Sequence, residues 1–191
     1  QHNMILSIIW WFLICAALIT FYLSTIYTRH PLFFIIISGA VAILSIQIIT
    51  SIKPNLIKIS FFIFKILSLS IILRGSAYFV SPYAIGSDPW VHAEYISYFI
   101  DYGRISVPSD FLFYYVNYPI AHLHAVCTIL LGSISIHNAM FLLGIILTFS
   151  TVVTFLIVRL LTGDTRLALI AMLLLNFADI QIEWSVMIIA M

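Results

Sequence analysis

Apolar residues run through this chain in long unbroken blocks, separated by short polar punctuation rather than by regular alternation. A helix that crosses a bilayer needs about 20 mainly apolar residues. Residues 4–27 meet that length and stop at Thr28-Arg29-His30-Pro31; residues 32–52 follow and close at Lys53-Pro54-Asn55. Residues 56–73 form a third block, ending at Arg74-Gly75, with Lys58 near its start and Lys65 inside it. A lysine in mid-span has to face protein or water, or snorkel. A fourth block covers 138–161, and after the polar turn Thr162-Gly163-Asp164-Thr165-Arg166 a fifth starts at 167 and runs through 180. The first block is too long for a signal peptide and lacks a cleavage signature, so it reads as a true span.

Between the third and fourth blocks the pattern changes. Residues 74–137 hold no uninterrupted apolar run of spanning length but carry Pro82, Pro89, Pro108 and Pro119 with Gly75, Gly86, Gly103 and Gly132. Two short helices fit there. Asp88 is a good N-cap and Pro89 a good first helical residue, which predicts a helix over 88–102 that stops at Gly103. Tyr118-Pro119 opens a second, over 119–131, ending at Gly132 and too short to span; we read it as lying in the interface. The expected fold class is therefore all-α, a polytopic transmembrane helical bundle with in-plane helices in a long loop, forming one domain.

Composition removes the soluble alternative. The 191 residues are 63% hydrophobic and 8% charged, whereas a soluble domain carries about 25% charged residues. A net charge of +1 with no basic run gives no support to nucleic-acid binding. Cys15 and Cys127 both sit in apolar blocks and read as small hydrophobes rather than as a redox pair. The chain starts at Gln1 and stops in an apolar run at Met191, which leads to the expectation of a longer protein. Orientation follows from lysine and arginine counts. With both short helices on one side, Lys53, Lys58, Arg159 and Arg166 face Arg29, Arg74 and Arg104, which puts the long loop outside; were the Pro119 helix to span, the count would place it inside.

The polar region also concentrates the chemistry. It holds Asp88, Glu94, Asp101 and Asp110, four of the seven acidic residues, and His92, His122, His124 and His137, four of the six histidines. At 100° per residue Asp88, His92, Tyr95 and Phe99 share one helical face, while Glu94, Ser97 and Asp101 form the opposite, solvated stripe. A carboxylate at a membrane surface can bind Mg²⁺ or Mn²⁺, or accept a proton from an acceptor hydroxyl or amide. The plain alternative is that Asp88 only caps its helix and the histidines are interfacial polar residues.

The segment Asp88-Pro89-Trp90-Val91-His92 resembles the acidic motif that opens the first external loop of GT-C membrane glycosyltransferases, in particular the catalytic subunit of oligosaccharyltransferases. In that superfamily an amphipathic helix ending in Gly follows, as at Asp101-Tyr102-Gly103-Arg104. A Tyr-Pro then opens a second in-plane helix, as at Tyr118-Pro119, and a span ends in a basic-Gly turn, as at Arg159-Leu-Leu-Thr-Gly163. Three spans precede the loop and no Trp-Trp-Asp motif is present, so the resemblance is to the superfamily rather than to that subunit. It implies a transferase that moves a sugar from a polyprenyl-linked donor to a protein, lipid or glycan on the external face. Asp88 and His92 would be catalytic; Arg74, Arg104, Tyr118 and His122 would bind substrate. Asp88, Asp179 and Glu183 would hold a divalent metal, Mg²⁺ or Mn²⁺. Of the two arginines, Arg74 is favoured for the carrier phosphate because it stands where the third span leaves the membrane. A transporter lined by Lys65 and the loop histidines, and a non-catalytic membrane subunit, are the competing expectations.

Overall fold

A computed structural model describes residues 2–25, 28–51, 54–81, 87–103 and 120–178. All secondary structure among the described residues is helical: α1 His2–Tyr22, α2 Pro31–Thr50, α3 Leu56–Tyr78, α4 Ser87–Tyr102, α5 Ile120–Gly132, α6 Ile136–Thr148, α7 Ser150–Thr162 and α8 Thr165–Asn176. Four segments are long and apolar enough to cross a membrane: Asn3–Tyr22, Pro31–Thr50, Leu56–Tyr78 and the α6–α7 run Ile136–Thr162.

The helix ends follow local chemistry. Pro31 starts α2 behind His30, whose Nδ1 accepts the Leu32 N–H at 3.2 Å. Asn55 caps α3 through the Lys58 N–H at 3.0 Å. Gly163 ends α7 with a left-handed φ of 68°, a conformation that favours glycine, and its N–H returns to the Arg159 carbonyl. Asp164 then caps α8 by accepting the N–H groups of Arg166 and Leu167, which holds its carboxyl below the usual range. After α5 the left-handed position falls to Ser133, with a φ of 50°, one residue beyond the expected Gly132.

Two differences from the expected spans have clear causes. α3 continues past Arg74 and Gly75 to Tyr78, because a glycine costs a helix interior only about 1 kcal/mol and the turn beyond it is buried. The fourth span is broken at Phe149. There Thr148 and Thr151 turn their hydroxyls back onto the carbonyls of Gly144 and Thr148, and backbone bonds of i to i+3 type replace the regular ladder.

Among the described residues the helices bury two apolar cores. The larger joins α1, α2, α3, α7 and α8 through helical stripes: Trp10, Ile14, Ala17 on α1, Phe33, Ile37, Ala40, Leu44, Ile48 on α2, and Ile59, Phe62, Ile66, Leu69 on α3. Ala17 and Ala40 are fully buried, as expected where small residues let helices approach closely in lipid. The smaller core gathers Tyr78 with Ile96, Tyr98 and Phe99 of α4, Ala125 and Val126 of α5, and Ala139 and Met140 of α6. The C-terminal end of α3 therefore connects the bundle to the sector built from the polar region.

Polar side chains tie the bundle helices together. Fully buried Lys65 donates to Gln47 Oε1 on α2 at 2.9 Å and to Ser7 Oγ on α1 at 3.0 Å, with the Trp10 and Phe61 rings 5.1 and 4.7 Å from its ammonium. Arg74 is likewise buried. Its guanidinium bonds the Ser70 hydroxyl and, at 3.4 Å, Asn176 Oδ1 of α8, while Ser70 Oγ donates to the same Asn176 oxygen at 2.6 Å.

Labelling can decide whether α5 lies on the membrane surface. With the exposed Cys15 and Cys127 replaced, single cysteines at Ser97 and Ser133 are expected to react from the same face of sealed vesicles. Modification from opposite faces would mean that α5 spans.

Candidate functional site

The sector formed by α4, α5 and α6 holds the densest group of titratable side chains in the described part of the polar region. α4 presents His92, Tyr95, Ile96 and Phe99 inward, all buried, and leaves Glu94 and Asp101 exposed. The 100° spacing places these sets on opposite faces, and the burial follows it. α4 ends at Gly103, whose φ of 62° and N–H bond to Phe99 close the helix.

α5 packs across α4 and brings His122 to His92. His92 Nδ1 and His122 Nε2 are 2.8 Å apart, so one ring donates and the other accepts. Each histidine is 2% exposed. Tyr95 and Phe99 stand against the His122 ring with centroids 5.5 and 6.1 Å away. A cavity of about 10 Å³, the size of a single water, lies beside the pair and is walled by Ile96, Ala125, Met140 and Leu143. His122 Nδ1 is buried and has no partner among the described residues. Burial, and secondarily the charge of His92, push the His122 imidazole down to about 4. His122 is thus neutral near pH 7, with its Nδ1 buried.

Close by, the Tyr78 hydroxyl donates to the His137 carbonyl at 2.9 Å, and the two rings stack at 4.2 Å. This contact staples the end of α3 to the start of α6 and so holds α6 behind the histidine pair.

The expected site residues divide into four groups. His92 and His122, expected as a catalytic and a substrate-binding residue, are joined in one buried pair. Arg74 lies inside α3, engaged with Ser70 and Asn176, rather than at the point where the chain leaves the bundle. Arg104, Tyr118, Asp179 and Glu183 lie outside the described residues. Asp88 is described only by its backbone, in the first turn of α4, a helix that starts one residue earlier than expected. Among the described residues no group of three or more His, Cys, Asp or Glu is placed to hold a metal ion.

Sequence reasoning did not find Asn176 or Gln47. Both are single amides in apolar blocks, and such an amide needs a buried partner when it faces protein. That rule flags each residue but does not name its partner.

No family model, no curated protein and no solved structure matches this chain.

Proposed function

We propose that the chain is a membrane glycosyltransferase of GT-C type, which moves a sugar from a polyprenyl phosphate or diphosphate carrier to a protein, lipid or glycan acceptor on the external face. The observation that carries this reading is the buried His92–His122 pair, one helical turn from Asp88 on the helix that opens the polar region. A carboxylate and an imidazole four residues apart share a helical face. In this reading Asp88 accepts the acceptor proton and His92 stabilises the acceptor or the carboxylate through its ring. His122 fixes the tautomer and orientation of His92, as a partner on the second ring nitrogen does in general. A neutral His122 suits this role, because a charged imidazolium would lower the basicity of a nearby carboxylate.

Asp179 and Glu183 complete the proposed acidic set. Carboxylate oxygens are suitable ligands for Mg²⁺ or Mn²⁺. A bound divalent ion would neutralise charge on the leaving phosphate. The carrier phosphate also needs a cation near the headgroups. Arg74 is committed to Ser70 and Asn176, so Arg104, which directly follows the end of α4, takes that part in the proposal.

Binding of a polyprenyl phosphate to the purified protein tests the reading. A charge-assisted bond to phosphate is worth roughly 1.5–3 kcal/mol. Arg104→Gln is therefore expected to weaken carrier binding about ten- to a hundred-fold, and Arg74→Gln to act chiefly on stability. A wild type that binds polyprenyl phosphate no better than an ordinary anionic phospholipid would remove the physical basis of the proposal.

A further inference from the structure

Five of the eight basic residues, Arg29, Lys53, Lys58, Lys65 and Arg74, precede Asp88, and no acidic residue does. The unit formed by α1, α2 and α3 therefore carries a positive charge that its own sequence does not balance. Arg29 and Arg74 belong to the end nearer α4–α6. Lys58 and Lys65 sit seven residues apart on α3 toward the other end, which places them on one face.

At that other end a cavity of about 190 Å³ opens between the start of α1, the end of α2 and the start of α3. Asn3 and Ser7, Gln47 and Ser51, and Lys58 and Phe61 line it in pairs from the three helices. Three of its lining residues, Ser7, Gln47 and Phe61, surround the Lys65 ammonium. Lys65 thus lies buried behind this lining rather than on it, and the exposed Lys58 stands at the rim. Both hydrogen-bond acceptors of Lys65 are neutral. Burying an ion without an opposite charge costs several kcal/mol, and neutral acceptors with aromatic faces offset only part of that.

We propose that this cavity binds the headgroup of an anionic phospholipid, with the phosphate between Lys58 and the polar floor over Lys65 and the acyl chains against the exposed apolar faces of α1 and α3. The charge selects an anion. The occupant is a membrane lipid rather than free phosphate because the cavity lies at the end of three candidate spans, flanked by exposed Met4, Leu56 and Ile57, where headgroups and chains meet. The site stands apart from the histidine pair and does not depend on the reading given for it.

Native mass spectrometry of the purified full chain with phosphatidylglycerol and with chain-matched phosphatidylcholine tests the proposal. One tightly retained phosphatidylglycerol is expected, in preference to phosphatidylcholine. Lys58→Gln should weaken its retention about five-fold, the effect of one basic residue near a lipid surface. Arg166→Gln, a control cation in the first turn of α8 already facing Asp164, should leave retention unchanged. Lys65→Met removes the buried charge; where that variant folds, retention should fall further, and where it does not, the exposed Lys58 carries the test alone. Excess inorganic phosphate should fail to displace the lipid. Equal retention of the two lipids, equal loss with Lys58→Gln and Arg166→Gln, or displacement by inorganic phosphate would each overturn the assignment.

Discussion

Asp88→Asn is expected to lower sugar transfer by about 10²–10⁴-fold, the usual range for losing a general base, with insertion and helix content unchanged. The substitution keeps size and capping ability, since asparagine starts helices about as well as aspartate. Position 88 lies in the first turn of α4, where a negative charge gains only about 0.3–1 kcal/mol from the helix dipole. A purely structural carboxylate therefore predicts a small change in stability and near-normal turnover. The measurement is transfer from a polyprenyl-linked sugar by the purified protein, beside its thermal unfolding in detergent. His92→Gln adds a discriminating readout. If His92 acts through Asp88, it should lower turnover less than Asp88→Asn and also move the pH profile, because glutamine hydrogen-bonds without titrating. Near-normal transfer by Asp88→Asn would return that residue to the role of a helix-start side chain.

The second large effect is on stability as a function of pH. His122 has a folded-state pKa pushed down to about 4 from the ordinary value of 6.5. Between these values the unfolded chain takes up a proton that the folded chain refuses, so stability falls as pH drops from about 6.5 toward 4. The full difference amounts to roughly 3 kcal/mol at 1.36 kcal/mol per pH unit. Thermal unfolding in detergent at a series of pH values should show this loss for the wild type. His122→Gln, which keeps a polar side chain but cannot titrate, should flatten the curve over the same window. A parallel pair of curves would mean that His122 is accessible to protons in the folded protein.

Much of the architecture was legible in the chain itself. Lipid imposes a length rule: backbone groups must be satisfied within the segment, so a spanning block has to be a helix of a given extent. The four long apolar segments follow from that rule. The short helices at 87–102 and 120–132 were legible for another reason, because Pro89, Pro119, Gly103 and the Asp88 region are local signals whose physics acts within one turn. The inward face of α4 was readable as well, since polar Glu94 and Asp101 contrast with Tyr95 and Phe99 at helical spacing.

The same logic explains what the sequence left open. In α1, α2 and α3 nearly every position is apolar, and lipid is as apolar as a protein interior. No periodicity then separates Phe33 and Leu44, which are buried, from Ile35 and Ile49, which are exposed; only the packed partner makes the distinction. The position of Arg74 depended on tertiary structure too. Its neighbourhood reads as a helix end, because Gly75 follows and polar residues begin there. Yet the packing of Tyr78 against His137 and Phe141 and the amide of Asn176, 102 residues further on, keep the helix intact and the guanidinium inside it. Likewise, spacing along the chain puts His92 and His122 30 residues apart on separate helices, and nothing in either helix encodes the other. Their pairing comes from the way α4, α5 and α6 close over one small core. A sequence states which side chains need a partner, while the choice of partner belongs to the folded chain.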